Sequence, residues 1–150
     1  MDRDGLNLDE LSDFADELAE IAHTIPKSMK KFLQSEGSKL TRKTKARAKK
    51  EVGTAHKKPK KYADSKHYVD TIKRGKVYHY RGSTEMAVRT YSSAPHAHLI
   101  EKGHRLVSHG KEVGFIPGKN IFGKTEQEFK SIYVKDAEKF YSDALGKIER

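Results

Sequence analysis

A chain of 150 residues, 35% hydrophobic and 35% charged, has room for one domain, or one domain with a helical arm, around a modest core. Soluble domains average about 25% charged residues, and a charge-rich chain with a small core often draws stability from partner subunits. Cysteine is absent, which excludes disulfides, thiolate zinc sites and thiol catalysis. Met1-Asp2-Arg3-Asp4 lacks the basic start and apolar run of a signal peptide. No stretch approaches the roughly 18 apolar residues of a membrane span, so the expectation is a soluble protein made in a cytoplasm.

The net charge of +10 is unevenly spread. Through Pro26, eight acids face Arg3 alone, a net of −7. From Lys27 to Lys61, fourteen bases face Glu36 and Glu51, a net of +12. Poles of opposite sign allow a small protein to stack head to tail or to meet a polyanion with its basic end. The plainer alternative is two solvated helix faces.

In chain order, Leu8, Leu11, Phe14, Leu18, Ile21 and Ile25 recur every three or four residues, which predicts an amphipathic helix. Asn7 and Glu10 suggest a capping box, and Pro26 is expected to end or kink this helix. A second helix is expected from Pro26 to about Glu51, with Met29, Phe32, Leu33 and Leu40 on its apolar face. That face fades into Thr44, Ala46 and Ala48, so the basic end is expected to project from the domain. Residues 1–53 thus read as a helical arm, 54–66 as a basic loop, and 67–150 as a sheet with a terminal helix.

Beyond the loop the period changes. Tyr68–Ile72, Val77–Tyr80 and Thr84–Tyr91 read as strands of an antiparallel meander, with a turn at Arg81-Gly82-Ser83. His96–Lys102 predicts a short helical turn closed by Gly103. Arg105–Val107 and Val113–Ile116 predict a hairpin across His109-Gly110. Thr125–Ile148 predicts a long helix, with Tyr133 and Tyr141 read as core residues and, as the alternative, interface residues. The fold class is α+β: a small antiparallel sheet packed by a long C-terminal helix, with an extended N-terminal helical arm.

His96, His98, Glu101 and His104, with His109 nearby, place imidazoles and a carboxylate close enough in sequence to consider a divalent metal. The spacing matches no metallohydrolase signature. A structural turn started by Pro95 and anchored by Leu99 and Ile100 accounts for the residues better, so no metal is assigned. His104, Arg105, Tyr91 and Glu101 could serve acid–base cleavage of RNA in general terms, but their spacing does not specify it. The chain has no phosphate-cradling glycine motif and no nucleophile elbow, and no catalytic residue is assigned. The basic stretch Lys39, Arg42, Lys43, Lys45, Arg47, Lys49 and Lys50 could neutralise phosphates in a salt-sensitive, non-specific way. It has no aromatic for base stacking.

Ile72-Lys73-Arg74-Gly75-Lys76-Val77-Tyr78 and the run Ala87 to Arg105, above all Tyr91, Ala94, Pro95, His96, His98, Leu99, Glu101, Gly103 and His104, resemble the tail-component family of tailed bacteriophages. These are small neck, head–tail joining or tail-completion proteins. Gly114-Phe115-Ile116-Pro117-Gly118-Lys119 and the long final helix resemble the family's ending. Asp64-Ser65-Lys66-His67-Tyr68 departs from the Thr-Gly pair common there, and the acidic first helix has no counterpart. The resemblance implies a virion protein assembled in the host cytoplasm as a ring of copies, six in number. Its partners would be connector and tail-tube or tail-terminator proteins, with genome DNA passing through the lumen and the basic residues at the lumen or between subunits. It implies neither cofactor nor turnover, and a structural role for the Pro95–Gly103 corner.

Overall fold

The structure, a computed structural model, describes residues 8–53 and 66–147. Asn7 and nearly all of the expected basic loop lie outside the described residues. The fold is α+β. Helix α1 runs Leu8–Val52, and a helical turn α2 (Tyr68–Thr71) leads into strands β1 (Ile72–Arg74), β2 (Tyr78–His79), β3 (Met86–Ala87) and β4 (Thr90–Ser92). Helix α3 (Ala97–Lys102), strands β5 (Gly103–Ser108) and β6 (Lys111–Pro117), and helix α4 (Ile121–Leu145) complete the chain.

Helix α1 continues through Pro26 where two helices were expected. Proline has no N–H to donate to the Ala22 carbonyl, a defect that is expensive in a packed helix. Here Pro26 and its neighbours Ile25 and Lys27 are exposed, so water can satisfy the carbonyl. Leu18 and Ile25 are also exposed, at 44% and 40%. Every described side chain from Asp13 to Lys27 is exposed, so it is in the acidic half that α1 stands clear of the domain.

The basic half packs instead. Thr44 and Ala48, where the apolar stripe seemed to fade, are 1% and 0% exposed. Small residues let helices approach closely, and Ala48 joins Tyr68, Val69, Ile72, Ala94 and Ile121 in the core cluster. Thr44 returns its hydroxyl to the Leu40 carbonyl (2.8 Å), as Thr125 does to Ile121 (2.7 Å). Both hydroxyls are thereby buried without an orphan donor.

Helix α4 packs antiparallel on α1. Lys39 pairs with Asp136 (2.7 Å), Arg47 with Glu128, and Glu51 with Lys124 (3.6 Å), so that the partners descend α4 as the residues climb α1. At the far end the Phe32 and Phe140 rings stack at 4.7 Å. Tyr133 and Tyr141, expected on the core side, are 39% and 55% exposed.

The four short strands form one interrupted hairpin rather than a three-strand meander. Residues Ile72, Lys73 and Arg74 pair with Ser92, Tyr91 and Thr90, while Tyr78 and His79 pair with Ala87 and Met86. The register slips by one residue between the two ladders. Residues 68–71, expected in a strand, form the turn α2, capped by the His67 side chain accepting from the Val69 N–H. The base of this hairpin leans on α1 through Thr41 and Thr90, whose hydroxyls meet at 2.8 Å. Helix α3 and the β5–β6 hairpin match the sequence reading. His109 and Gly110, both at positive φ (49° and 76°), make its two-residue turn.

Two outcomes test this packing. Replacing Pro26 with Ala restores a helical donor and should slow amide exchange through residues 22–30, with thermal stability kept or raised. Lys39 is the bridge between two carboxylates, Glu36 and Asp136, and its hydrogen bond holds the Asp136 carboxyl below its usual range. A depressed carboxyl contributes stability above its unfolded value of 3.8 and loses it as pH falls further. Lys39→Met should lower the melting temperature at neutral pH and flatten its decline in acid, measured by thermal melts from pH 7 to 2.

Candidate functional site: the corner between the helices

The segment Ala94–Gly103 forms a corner that joins the interrupted hairpin to the β5–β6 hairpin. Ala94 is 8% exposed, in the core. Pro95 and His96 form the exposed turn that starts α3, whose first bonds run from Ala97 N–H to the Ala94 carbonyl (3.1 Å) and from Leu99 N–H to the His96 carbonyl (3.0 Å). His98 and Leu99 face solvent. Tyr91 is exposed beneath the Arg89 guanidinium, 5.2 Å from its ring centre.

Glu101 is the organising residue. Its Oε1 accepts from the Tyr68 hydroxyl (2.8 Å) and from the Ile121 N–H (3.2 Å), and its Oε2 accepts from the Phe122 N–H (3.2 Å). Ile121 and Phe122 are the first residues of α4, whose leading N–H groups have no partner within the helix. Asn120, at the capping position, sits in the left-handed region (φ 46°) and its side chain makes no cap. A carboxylate from a distant turn thus caps α4 and meets its positive end. Burial, and then the Glu101 carboxylate, push the Tyr68 phenol well above its ordinary value.

Close backbone approach fixes the corner. The Lys119 N–H donates to the Ile100 carbonyl (2.8 Å) and the Asn120 N–H to the Glu101 carbonyl (3.1 Å). A Cβ at Gly103 (φ 85°) would lie 2.4 Å from the Ile116 carbonyl oxygen, and one at Gly118 would lie 2.2 Å from that of Glu101. Neither position can carry a side chain without moving backbone.

The histidines do not gather around the carboxylate. His96 and His98 are exposed, while His104 lies partly buried in β5 with Nδ1 lacking a partner. Among the described residues no group of three or more His, Asp or Glu is placed to hold a metal. The grouping of His104, Arg105, Tyr91 and Glu101 is also dispersed in role. Glu101 is committed to the α4 cap, and Arg105, 74% exposed, pairs with Glu112 across the hairpin (3.6 Å).

The seven candidate basic residues between Lys39 and Lys50 divide by helical phase. Lys39 and Arg47 face α4 in the ion pairs already described. Lys43 and Lys50, both exposed, lie close enough to Glu128 to help Arg47 hold its carboxyl below the usual range. Arg42, Lys45 and Lys49 line a groove of about 420 Å³ with Arg74 of β1. Among the described residues no acid lines that groove, and Arg74 is its one cation from outside the Lys39–Lys50 stretch. A second cleft, also about 420 Å³, lies between α1, β3 and α4 and is lined mainly by apolar side chains, with Glu36, Glu126 and Lys130 among them. Glu36 is 3% exposed, with Oε1 on Lys39 and Oε2 unpartnered.

Comparison with family profiles, with curated proteins and with solved structures finds no match to this chain.

Truncating the cap tests the corner. Glu101→Ala leaves two helix N–H groups and the Tyr68 hydroxyl without their acceptor, and should cost about 2 kcal/mol in chemical denaturation. Tyr68→Phe should cost about 1 kcal/mol. Because the folded phenol ionises above its unfolded value of 10.0, its contribution is complete below that pH and is lost as pH rises beyond it. The variant should therefore show a shallower loss of stability between pH 10 and 12.

Proposed function

We propose that this chain is a non-enzymatic structural subunit of the neck of a tailed bacteriophage: a head–tail joining or tail-completion protein that forms a ring around the DNA path. The phage assignment rests on the motif resemblance along Tyr91–His104. The observation that carries an assembly role is the β5–β6 hairpin. Leu106, Val107, Val113, Phe115 and Ile116 are 41–61% exposed along it.

Paired residues share a face of the ladder, and the register puts Phe115 with Arg105 on one face and Ile116 with His104 on the other. Apolar side chains therefore point both ways, and no residue of either strand is buried. An isolated two-stranded hairpin is marginal in water, and exposed apolar surface of this extent suits contact with another protein. In a ring it would reach a neighbouring copy or a connector or tail-tube subunit. Glu101, held by three donors, fits a scaffold better than a general base.

A second reading, a basic module that binds nucleic acid without sequence preference, is favoured by the groove of Arg42, Lys45, Lys49 and Arg74. The measurement that separates the two is the mass of the purified full chain, alone and mixed with isolated tail tubes. The neck reading expects rings, or stoichiometric capture on tube ends. Val113→Ser with Phe115→Ser should abolish either at unchanged circular dichroism, because both side chains are exposed. A monomer that ignores tubes and shifts duplex DNA with a steep salt dependence would overturn the neck reading and favour the second.

A further inference from the structure

Two oppositely charged stripes run along α1 with the same spacing. Asp13, Asp16 and Glu20 stand at positions i, i+3 and i+7 of the acidic half, and Arg42, Lys45 and Lys49 stand at i, i+3 and i+7 of the basic half. The three acids, Arg42 and Lys49 are exposed and Lys45 is partly so. Among the described residues none of the six has an ion-pair partner, in contrast to Lys39 and Arg47 on the neighbouring face. The stripes are offset by 29 residues, about eight turns at 3.6 residues each, so they lie on the same side of the helix and about 43 Å apart. Because α1 is one helix through Pro26, the acidic stripe cannot fold back onto its own basic groove.

We propose that the occupant of the basic groove is the acidic arm of a second copy of this chain, with the two α1 helices antiparallel about a two-fold axis. A helix whose ends carry opposite charge on one side is complementary to itself when turned end for end. Asp13 then meets Lys49, Glu20 meets Arg42 and Asp16 lies beside Lys45, and the same contacts recur at the other end. Arg74 adds a fourth cation to each groove. The axis passes near Lys31, whose exposed side chain must splay away from its symmetry mate. A parallel, staggered pairing with the same faces together leaves an unfilled arm and an unfilled groove, and so extends into a fibre rather than closing. Exposed ion pairs are individually weak and screened by salt, so the pair is a low-salt association. It uses the charged side of α1, a surface separate from the β5–β6 hairpin that carries the assembly role in the neck reading.

The test uses the full-length chain, whose lack of cysteine makes every introduced thiol unambiguous. Sedimentation velocity at 50 and 500 mM salt should show a dimer at low salt that dissociates at high salt. Glu20→Cys mixed with Arg42→Cys should form an intermolecular disulfide under mild oxidation, and Asp13→Cys mixed with Arg42→Cys should not. Reversing the groove (Arg42→Glu, Lys45→Glu, Lys49→Glu) should weaken association about tenfold or more. Combining it with the reversed arm (Asp13→Lys, Asp16→Lys, Glu20→Lys) should restore it.

A chain that stays monomeric at 50 mM salt and 100 μM protein, with no Glu20–Arg42 cross-link, overturns the proposal. So does preferential Asp13–Arg42 cross-linking, or an assembly indifferent to both charge reversals. Capture on tail tubes with no low-salt dimer would refute the dimer and leave the neck reading standing.

Discussion

The Glu101 carboxylate ties together three segments that lie far apart in the sequence and meet at the core. It receives the Tyr68 phenol from one side of the core and two backbone N–H groups of α4 from the other. Tyr68 and Ile121 are the residues through which those segments enter the core, at 2% and 0% exposure. An uncapped helix start beside a buried isoleucine would leave donors without water or partner. The carboxylate supplies their acceptor, and its negative charge suits the helix end. The glycines at 103 and 118 bring the backbone of α3 close enough to the start of α4 for this reach.

Much of the remaining architecture follows from that junction. With α4 started there, it runs back along α1, and the pairs at Lys39, Arg47 and Glu51 align the two helices. The β5–β6 hairpin is anchored at its base, through the Ile100 and Glu101 carbonyls, and extends away from the core. Its exposure is a consequence of being hung from a corner rather than packed on a layer.

The candidate site was legible in part. The Ala94–Gly103 turn, its helical character and its closure by Gly103 follow from proline, glycine and apolar spacing, all local signals. That Glu101 acts structurally was also within reach, but its partners were not. Tyr68 and Ile121 lie 33 and 20 residues away, and no periodicity reports a contact at that distance. The basic stretch of α1 misled for a related reason. Thr44 and Ala48 look like the end of an apolar stripe, yet small residues are what a close helix crossing requires. The strands of the interrupted hairpin showed the same limit: composition marked extended chain, while nested pairing and the one-residue slip depend on which partner strand is reached.

By itself the sequence determined the α+β class, the two-residue turn at His109-Gly110, the short helix before Gly103 and the long helices. These depend on hydrophobic period and on backbone preferences of single residues, which act over a few positions. Tertiary structure decided that Pro26 is crossed, that the acidic half of α1 stands free while the basic half packs, and that seven similar cations have three different surroundings. Those outcomes depend on helical phase relative to α4 and on solvent access, and both exist only once distant segments share a core.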